Sequence, residues 1–143
     1  MKKIIPILFL LLLPFYSKSS PLDTISTWKV YYNNSLIKNF SENTNNSIVI
    51  KRKQYKTGDY LAIKYSDDTP CEDCKYAFVV IGEGRLEVSR RESKGKDKLI
   101  KIDLKELINF RDTTNQPSFV IYLYELEDKN KNNGKRLVTL KID

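Results

Sequence analysis

The stretch KYAFVVIG, residues 75–82, decides the architecture. As an extended strand it sends Tyr76, Phe78 and Val80 to one face and Ala77, Val79 and Ile81 to the other, so water suits neither face. It therefore reads as a central strand of its sheet. SFVIYLYEL (118–126) has the same character and takes the same reading.

Working outward, seven further runs alternate apolar and polar residues with a period of about two, separated by breaks rich in Asn, Asp, Gly and Lys. TWKVYYN (27–33) places Trp28, Val30 and Tyr32 on one face, and SLIKNF (35–40) places Leu36 and Phe40 together, with NNS turning a hairpin between them. SIVIKRK (47–53) and GDYLAIKYS (58–66) are separated by a turn at Lys56 to Asp59. GRLEVSR (84–90), KLIKID (98–103) and KRLVTLKI (135–142) carry charges between their apolar positions and read as half-buried or edge strands. The polar run DKNKNNGK (128–135) is a hairpin loop, since an apolar strand follows it.

One segment departs from this period. In DLKELINF, Asp103 can cap a helix, Glu106 can complete a capping box, and Leu104, Leu107 and Ile108 recur at helical spacing. A short helix near 104–110 is expected, closing one end of the core rather than docking a partner.

So many apolar strand faces require two packed sheets or a closed barrel. The long polar connections and the lack of equal hairpins favour the first. The expectation is an all-β, two-sheet sandwich of about 8–9 antiparallel strands, immunoglobulin-like or jelly-roll, rather than an up-and-down barrel.

The chain opens MKKIIPILFLLLLPFYSKSS. Lys2 and Lys3 precede an apolar run of about 12 residues, and small residues at Ser17 and Ser19 have the spacing of an export cleavage site. Residues 1–19 are expected to be a signal peptide. The run is short of the roughly 20 residues that cross a bilayer, so no membrane span is expected in the remainder. Cutting after Ser19 leaves 20–143, room for a single β-sandwich domain, in a periplasmic or secreted location. Loss of Lys2, Lys3 and Lys18 takes the 25 basic residues to 22 against 18 acidic, a net charge of +4. The cations fall in separate clusters (51–53, 90–98, 129–136), which reads as solvated turns and edges and points away from nucleic acid.

The only two cysteines, Cys71 and Cys74, sit in DDTPCEDCKYAF between a loop and a strand. A redox dithiol needs a helix N-terminus or nearby cations, whereas Asp67, Asp68, Glu72 and Asp73 oppose a thiolate. Zinc would lack histidine ligands, because the chain has none, and the acidic run lacks the periodicity of a calcium loop. An exported chain with an even cysteine count favours a local disulfide, stiffened by Pro70 and setting the register between the strands at 60–66 and 76–81. No metal and no cofactor is expected.

The absence of histidine removes serine and cysteine triads and histidine general bases. A carboxylate hydrolase would have to draw on Glu83, Glu87, Glu125 or Glu127. A binding module has more to work with. Eight tyrosines remain after Tyr16 is removed with the leader, and Tyr31, Tyr32, Tyr55, Tyr60, Tyr122 and Tyr124 are the candidate contact residues. Asn33, Asn39 and Asn45 head Asn-x-Ser triplets, which matter only in a eukaryotic secretory host. The function expected is recognition of a protein or glycan at the cell envelope without catalysis. A thiol-redox or metal protein using Cys71 and Cys74 is the alternative, and a carboxylate-dependent hydrolase the third.

Overall fold

The structure, a computed structural model, describes residues 25–42, 44–66, 71–95, 98–126 and 134–143; the expected leader at 1–19 lies outside them. Among the described residues there are nine strands and one α-helix: β1 (Thr27–Tyr32), β2 (Ser35–Ser41), β3 (Ser47–Ile50), β4 (Tyr60–Ser66), β5 (Lys75–Gly82), β6 (Glu87–Lys94), β7 (Lys98–Asp103), α1 (Leu104–Thr114), β8 (Ser118–Glu125) and β9 (Lys135–Ile142). They form a four-stranded sheet in the order β2-β1-β4-β7 and a five-stranded sheet in the order β3-β9-β8-β5-β6. The chain is an all-β, two-sheet sandwich. Three sequential pairs, β1–β2, β5–β6 and β8–β9, lie side by side in one sheet, and every other connection passes between the sheets.

The core is built by alternation. Trp28, Val30, Leu61, Ile63, Ile100 and Ile102 face inward from the smaller sheet, against Phe78, Val80, Phe119, Ile121, Leu140 and Ile142 from the larger. Trp28 stacks on Tyr65 at 6.2 Å and tilts against Phe40 at 6.4 Å. As its two apolar faces require, β5 is central, between β8 and β6.

Four expectations are narrowed or corrected. First, of the two readings of β9 the half-buried one holds and the edge one does not. The strand lies between β8 and β3 and buries Leu137, Val138, Leu140 and Ile142, because β3 covers the side its charges seemed to leave open. Second, the strands are not all antiparallel: β3 runs parallel to β9, with Ile48 beside Leu140 and Ile50 beside Ile142. A strand that arrives from the other sheet takes its direction from that crossing and not from a hairpin. Third, β4 and β5 do not pair. Each already has a neighbour on both sides, β1 and β7 for β4, β8 and β6 for β5, so the Cys71–Cys74 turn lies between sheets instead of setting a register. Fourth, Leu36 and Phe40 part company. The register shifts between Val30 and Tyr31, so that Val30 faces Lys38 while Tyr31 faces Leu36; Phe40 stays buried and Leu36 turns outward.

α1 carries the chain from β7 in one sheet to β8 in the other and closes one end. The Asp103 side chain accepts from the Lys105 N–H at 2.8 Å, and Asn115 ends the helix in the left-handed conformation, its N–H donating to the Arg111 carbonyl. The capping box does not form: one Glu106 carboxylate oxygen pairs with Arg91 of β6 at 2.5 Å, and the other is buried without a hydrogen-bond partner. Leu104, Leu107 and Ile108 are buried, and the Phe110 ring lies edge-on to Phe119 at 5.9 Å. That ring also lies over Gly82, where an added Cβ would come within 2.7 Å of it. Leu107→Ala should cost about 2–5 kcal/mol in denaturant unfolding. A cost within about 0.5 kcal/mol, as at surface sites, would mean that α1 does not seal the core.

Candidate functional site

Filling the core leaves each sheet an outer face, and the two faces differ. On the larger sheet, Ala77 faces Tyr124 and Val79 faces Tyr122, and both small residues are buried although they point outward. The rings of Tyr122 and Tyr124 lie 6.3 Å apart, and Tyr124 sits so close over Gly134 that no side-chain carbon would fit there. Arg90 lies 3.8 Å from Glu87 and 3.5 Å from Glu92. Arg90 is thus paired on this face, while Val49 of β3 stays 59% exposed and Lys75 stands opposite Lys94.

The outer face of the smaller sheet is built differently. β1, β2, β4 and β7 together contain one carboxylate, Asp103, which is spent on the helix cap. Lys29 stands directly opposite Lys64, with Leu99 next in the same row; the following row runs Leu36, Tyr31, Ala62, Lys101. Leu36 is 50% and Leu99 47% exposed, and the Lys101 ammonium lies 4.7 Å over the Tyr60 ring. The surface dips into a shallow groove of about 280 Å³ lined by Tyr31, Asn33, Asn34, Tyr60, Ala62, Lys64, Leu99 and Lys101. A separate dip of about 360 Å³ lies at β1 and β2, lined by Thr27, Trp28, Lys29, Asn39, Phe40, Ser41 and Thr44.

The upper end of the groove is held by Asp59. Its carboxylate accepts from the Tyr32 hydroxyl at 2.5 Å, the Asn33 amide at 3.0 Å and the Lys56 N–H at 2.8 Å. Asn33, left-handed at φ 54°, accepts from the Tyr60 N–H through its side chain and donates its own N–H to the Tyr60 carbonyl. The Tyr60 hydroxyl then donates to Asn34 at 2.9 Å, which sets the ring at the groove edge. Burial, and then the bond to Asp59, push the Tyr32 hydroxyl up to about 12. The Tyr32 bond, followed by those from Lys56 and Asn33, holds the Asp59 carboxyl below its usual range.

Near the other end, Lys135 of β9 donates to Ser26 at 2.7 Å, to the Tyr65 hydroxyl at 3.1 Å and to Glu42, tying the two sheets together. Burial works against its charge, but the bonds to Glu42 and Tyr65 outweigh that and raise its pKa, while Glu42 is lowered chiefly by the same bond.

The six candidate tyrosines therefore do not form one site. Tyr31 and Tyr60 meet in the groove. Tyr32 is committed to Asp59, and Tyr55 packs half-buried against the core with the Arg52 guanidinium 5.6 Å over its ring. Tyr122 and Tyr124 lie on the opposite sheet. Sequence reasoning missed Leu36, Leu99, Lys29, Lys64 and Lys101. The alternation of Lys29 with Tyr31, and of Leu99 with Lys101, was the available signal.

Cys71 and Cys74 lie at disulfide-bonding distance, with Cα atoms 5.5 Å apart. Cys74 packs against the core, its carbonyl accepting from the Gly95 N–H, and Asp73 pairs with Lys94 at 3.2 Å. Asp67, Asp68 and Pro70 of the same stretch lie outside the described residues. Among the described residues no three histidine, cysteine or carboxylate side chains cluster to hold a metal. Of the carboxylates weighed for hydrolysis, Glu127 lies outside the described residues, and Glu87 and Glu125 stand opposite Ile81 and Tyr76 at the two ends of β5. Five residues of strand put them roughly 17 Å apart, too far to act as a pair.

Compared with family models, with curated proteins and with solved structures, the chain gives no match. Among the described residues no helix is long and apolar enough to cross a membrane.

Two predictions follow from the local geometry. Replacing both cysteines with serine should cost about 2 kcal/mol by the loop-closure argument, read in denaturant unfolding without reductant; unchanged stability would mean the turn is held by other contacts. A depressed carboxyl stabilises the fold above its unfolded value, and that stabilisation is lost as pH falls through the folded one. Asp59→Ala should therefore lower Tm at neutral pH, with the gap from wild type closing below about pH 3.9. A gap that stays constant into acid would show that the Asp59 charge plays no part.

Proposed function

We propose that this protein is a small exported interaction module that recognises a protein or glycan at the cell envelope, and that the outer face of the four-stranded sheet is its contact surface. The N-terminal pattern of Lys2, Lys3 and the following apolar run supports export, to the periplasm or the medium. A disulfide-distance cysteine pair suits that compartment. The absence of histidine, and the distance between Glu87 and Glu125, support recognition over catalysis. Immunoglobulin-like and jelly-roll sandwiches serve recognition in many unrelated proteins; this is an analogy of architecture alone.

The observation that carries the reading is the contrast between the two outer faces. On the five-stranded sheet Arg90 is paired with Glu87 and Glu92 and Val49 at the edge strand is the exposed aliphatic, while the four-stranded sheet displays Leu36 and Leu99 beside the half-buried rings of Tyr31 and Tyr60, with a groove between them. Partly exposed tyrosine rings beside exposed aliphatics, within a polar surround, suit a contact surface.

The test is retention of solubilised envelope components on the immobilised protein. Wild type should hold a defined component, Leu99→Glu should lose most of it, and Glu92→Lys on the opposite sheet should keep it. No retained component, or retention indifferent to Leu99→Glu, would reject the proposal.

A further inference from the structure

We infer that β3 is a self-association edge: two copies of this chain pair antiparallel along it, about a two-fold axis at Val49, and join their five-stranded sheets into one. The edge belongs to the larger sheet, so this surface is separate from the one proposed above.

Among the described residues the two sheets end in four edge strands, β2, β7, β3 and β6, and three of them are guarded. β2 carries the register shift that leaves Ile37 without a partner on β1. β6 strings Glu87, Arg90, Arg91, Glu92 and Lys94 along its length, and β7 carries Lys98, Lys101 and Asp103. β3 is SIVI, with no charge, no proline and an unbroken register against β9. Among the described residues no strand pairs with its outer side. Val49 in its middle is the most exposed large aliphatic residue described.

Backbone direction fixes which groups are free. On the β9 side, the Asn46 carbonyl accepts from Thr139, the Ile50 carbonyl accepts from Asp143, and the Arg52 N–H donates to the Asp143 carbonyl. Alternation therefore turns the N–H and C=O of Ser47 and Val49, and the N–H of Lys51, to the open side; the Lys51 carbonyl already accepts from Gln54. A copy centred on Val49 satisfies these groups. The two Val49 residues exchange N–H···O bonds, and each Lys51 N–H donates to the Ser47 carbonyl across the axis.

The side chains select the same centre. Val49 lies beside its counterpart, Ile48 beside Ile50, and Lys51 faces Ser47, so no like charges stand opposite. Centred two residues later, the pairing would set Lys51 against Lys51; two residues earlier, it would set Val49 against Asn45. Pairing with β6 or β7 of the copy would place Val49 among charges and leave an open chain of molecules, whereas the two-fold contact closes on itself. So short an edge falls below the area of permanent dimers, and the association is weak and concentration-dependent. The axis stands perpendicular to the joined sheet, so both four-stranded sheets lie on one side of it and their outer faces point the same way. A target repeated on a surface is then met by two contact faces at once.

Sedimentation velocity between about 10 μM and 1 mM, on the protein as its host produces it, should show a reversible monomer–dimer equilibrium. Val49→Pro removes an N–H that the β9 ladder does not use, and Val49→Lys sets like charges face to face. Each should weaken the dimer about tenfold or more with the far-ultraviolet circular dichroism unchanged, while Val49→Ile and Leu99→Glu should keep it. Crosslinking reads the register. Val49→Cys should form a disulfide between copies, since directly opposed residues lie about 5.5 Å apart. Lys51→Cys should not, its two copies being about 14 Å apart, but a mixture of Ser47→Cys and Lys51→Cys should.

A monomer across the whole range, a dimer indifferent to Val49→Pro and Val49→Lys, a dimer lost in Leu99→Glu, or Lys51→Cys crosslinking as readily as Val49→Cys would overturn the inference. So would a monomer that dimerises only when residues 20–24 are removed, which would place the chain's own N-terminus on the edge. If a monomeric protein retains an envelope component, this inference falls and the proposal for the four-stranded face stands. If the protein dimerises through Val49 but retains no component, the reverse holds.

Discussion

The dry layer between the two sheets is the constraint on which everything else depends. Each strand gives alternate residues to it, and the residues left over have no freedom about which way they face. Ile63 and Ile100 go in; Lys64 and Lys101 must therefore come out. The groove is a consequence of the core: Trp28 and Val30 inward place Lys29 and Tyr31 outward, beside Lys64 and Ala62. A slip of one residue in β1 against β4 would exchange the two sets and remove both.

The sandwich then has to be closed at its ends and sides, and different chemistry does this in each place. α1 seals one end with Leu104, Leu107 and Ile108. Lys135 bridges the sheets through Ser26, Tyr65 and Glu42. Asp59 draws together the β1–β2 turn, the turn before β4 and, through its carbonyl, the N–H of Leu104 at the start of α1. These ties hold the groove ends in place, so that the surface is already formed and a ligand binding there would add little ordering cost.

The strands and the helix were legible in the sequence because their signals are local. The two-sided apolar runs at 75–82 and 118–126 name central strands, and Asp103 with the Leu104, Leu107, Ile108 spacing names the helix. What was not legible depends on partners distant in the chain. β9 looked like a half-buried or edge strand because Lys135, Arg136 and Lys141 interrupt it, and it is β3, about ninety residues earlier and parallel to it, that decides against the edge. The capping box matched its motif but lost Glu106 to Arg91. For the site, abundance of tyrosine was a poor guide, since the same residue covers Ala77 and Val79 on one sheet and lines the groove on the other. The lysines were read as solvent-facing charge one cluster at a time. Only the register of β1, β4 and β7 shows that three of them share a face.

The claim that one outer face meets a partner and the other does not is tested most directly by a photo-activated crosslinking side chain placed at Leu99 or at Glu92 and irradiated in the native host. Discrete adducts from position 99 and none from position 92 are predicted. Adducts from position 92 alone, or from neither, would contradict the account.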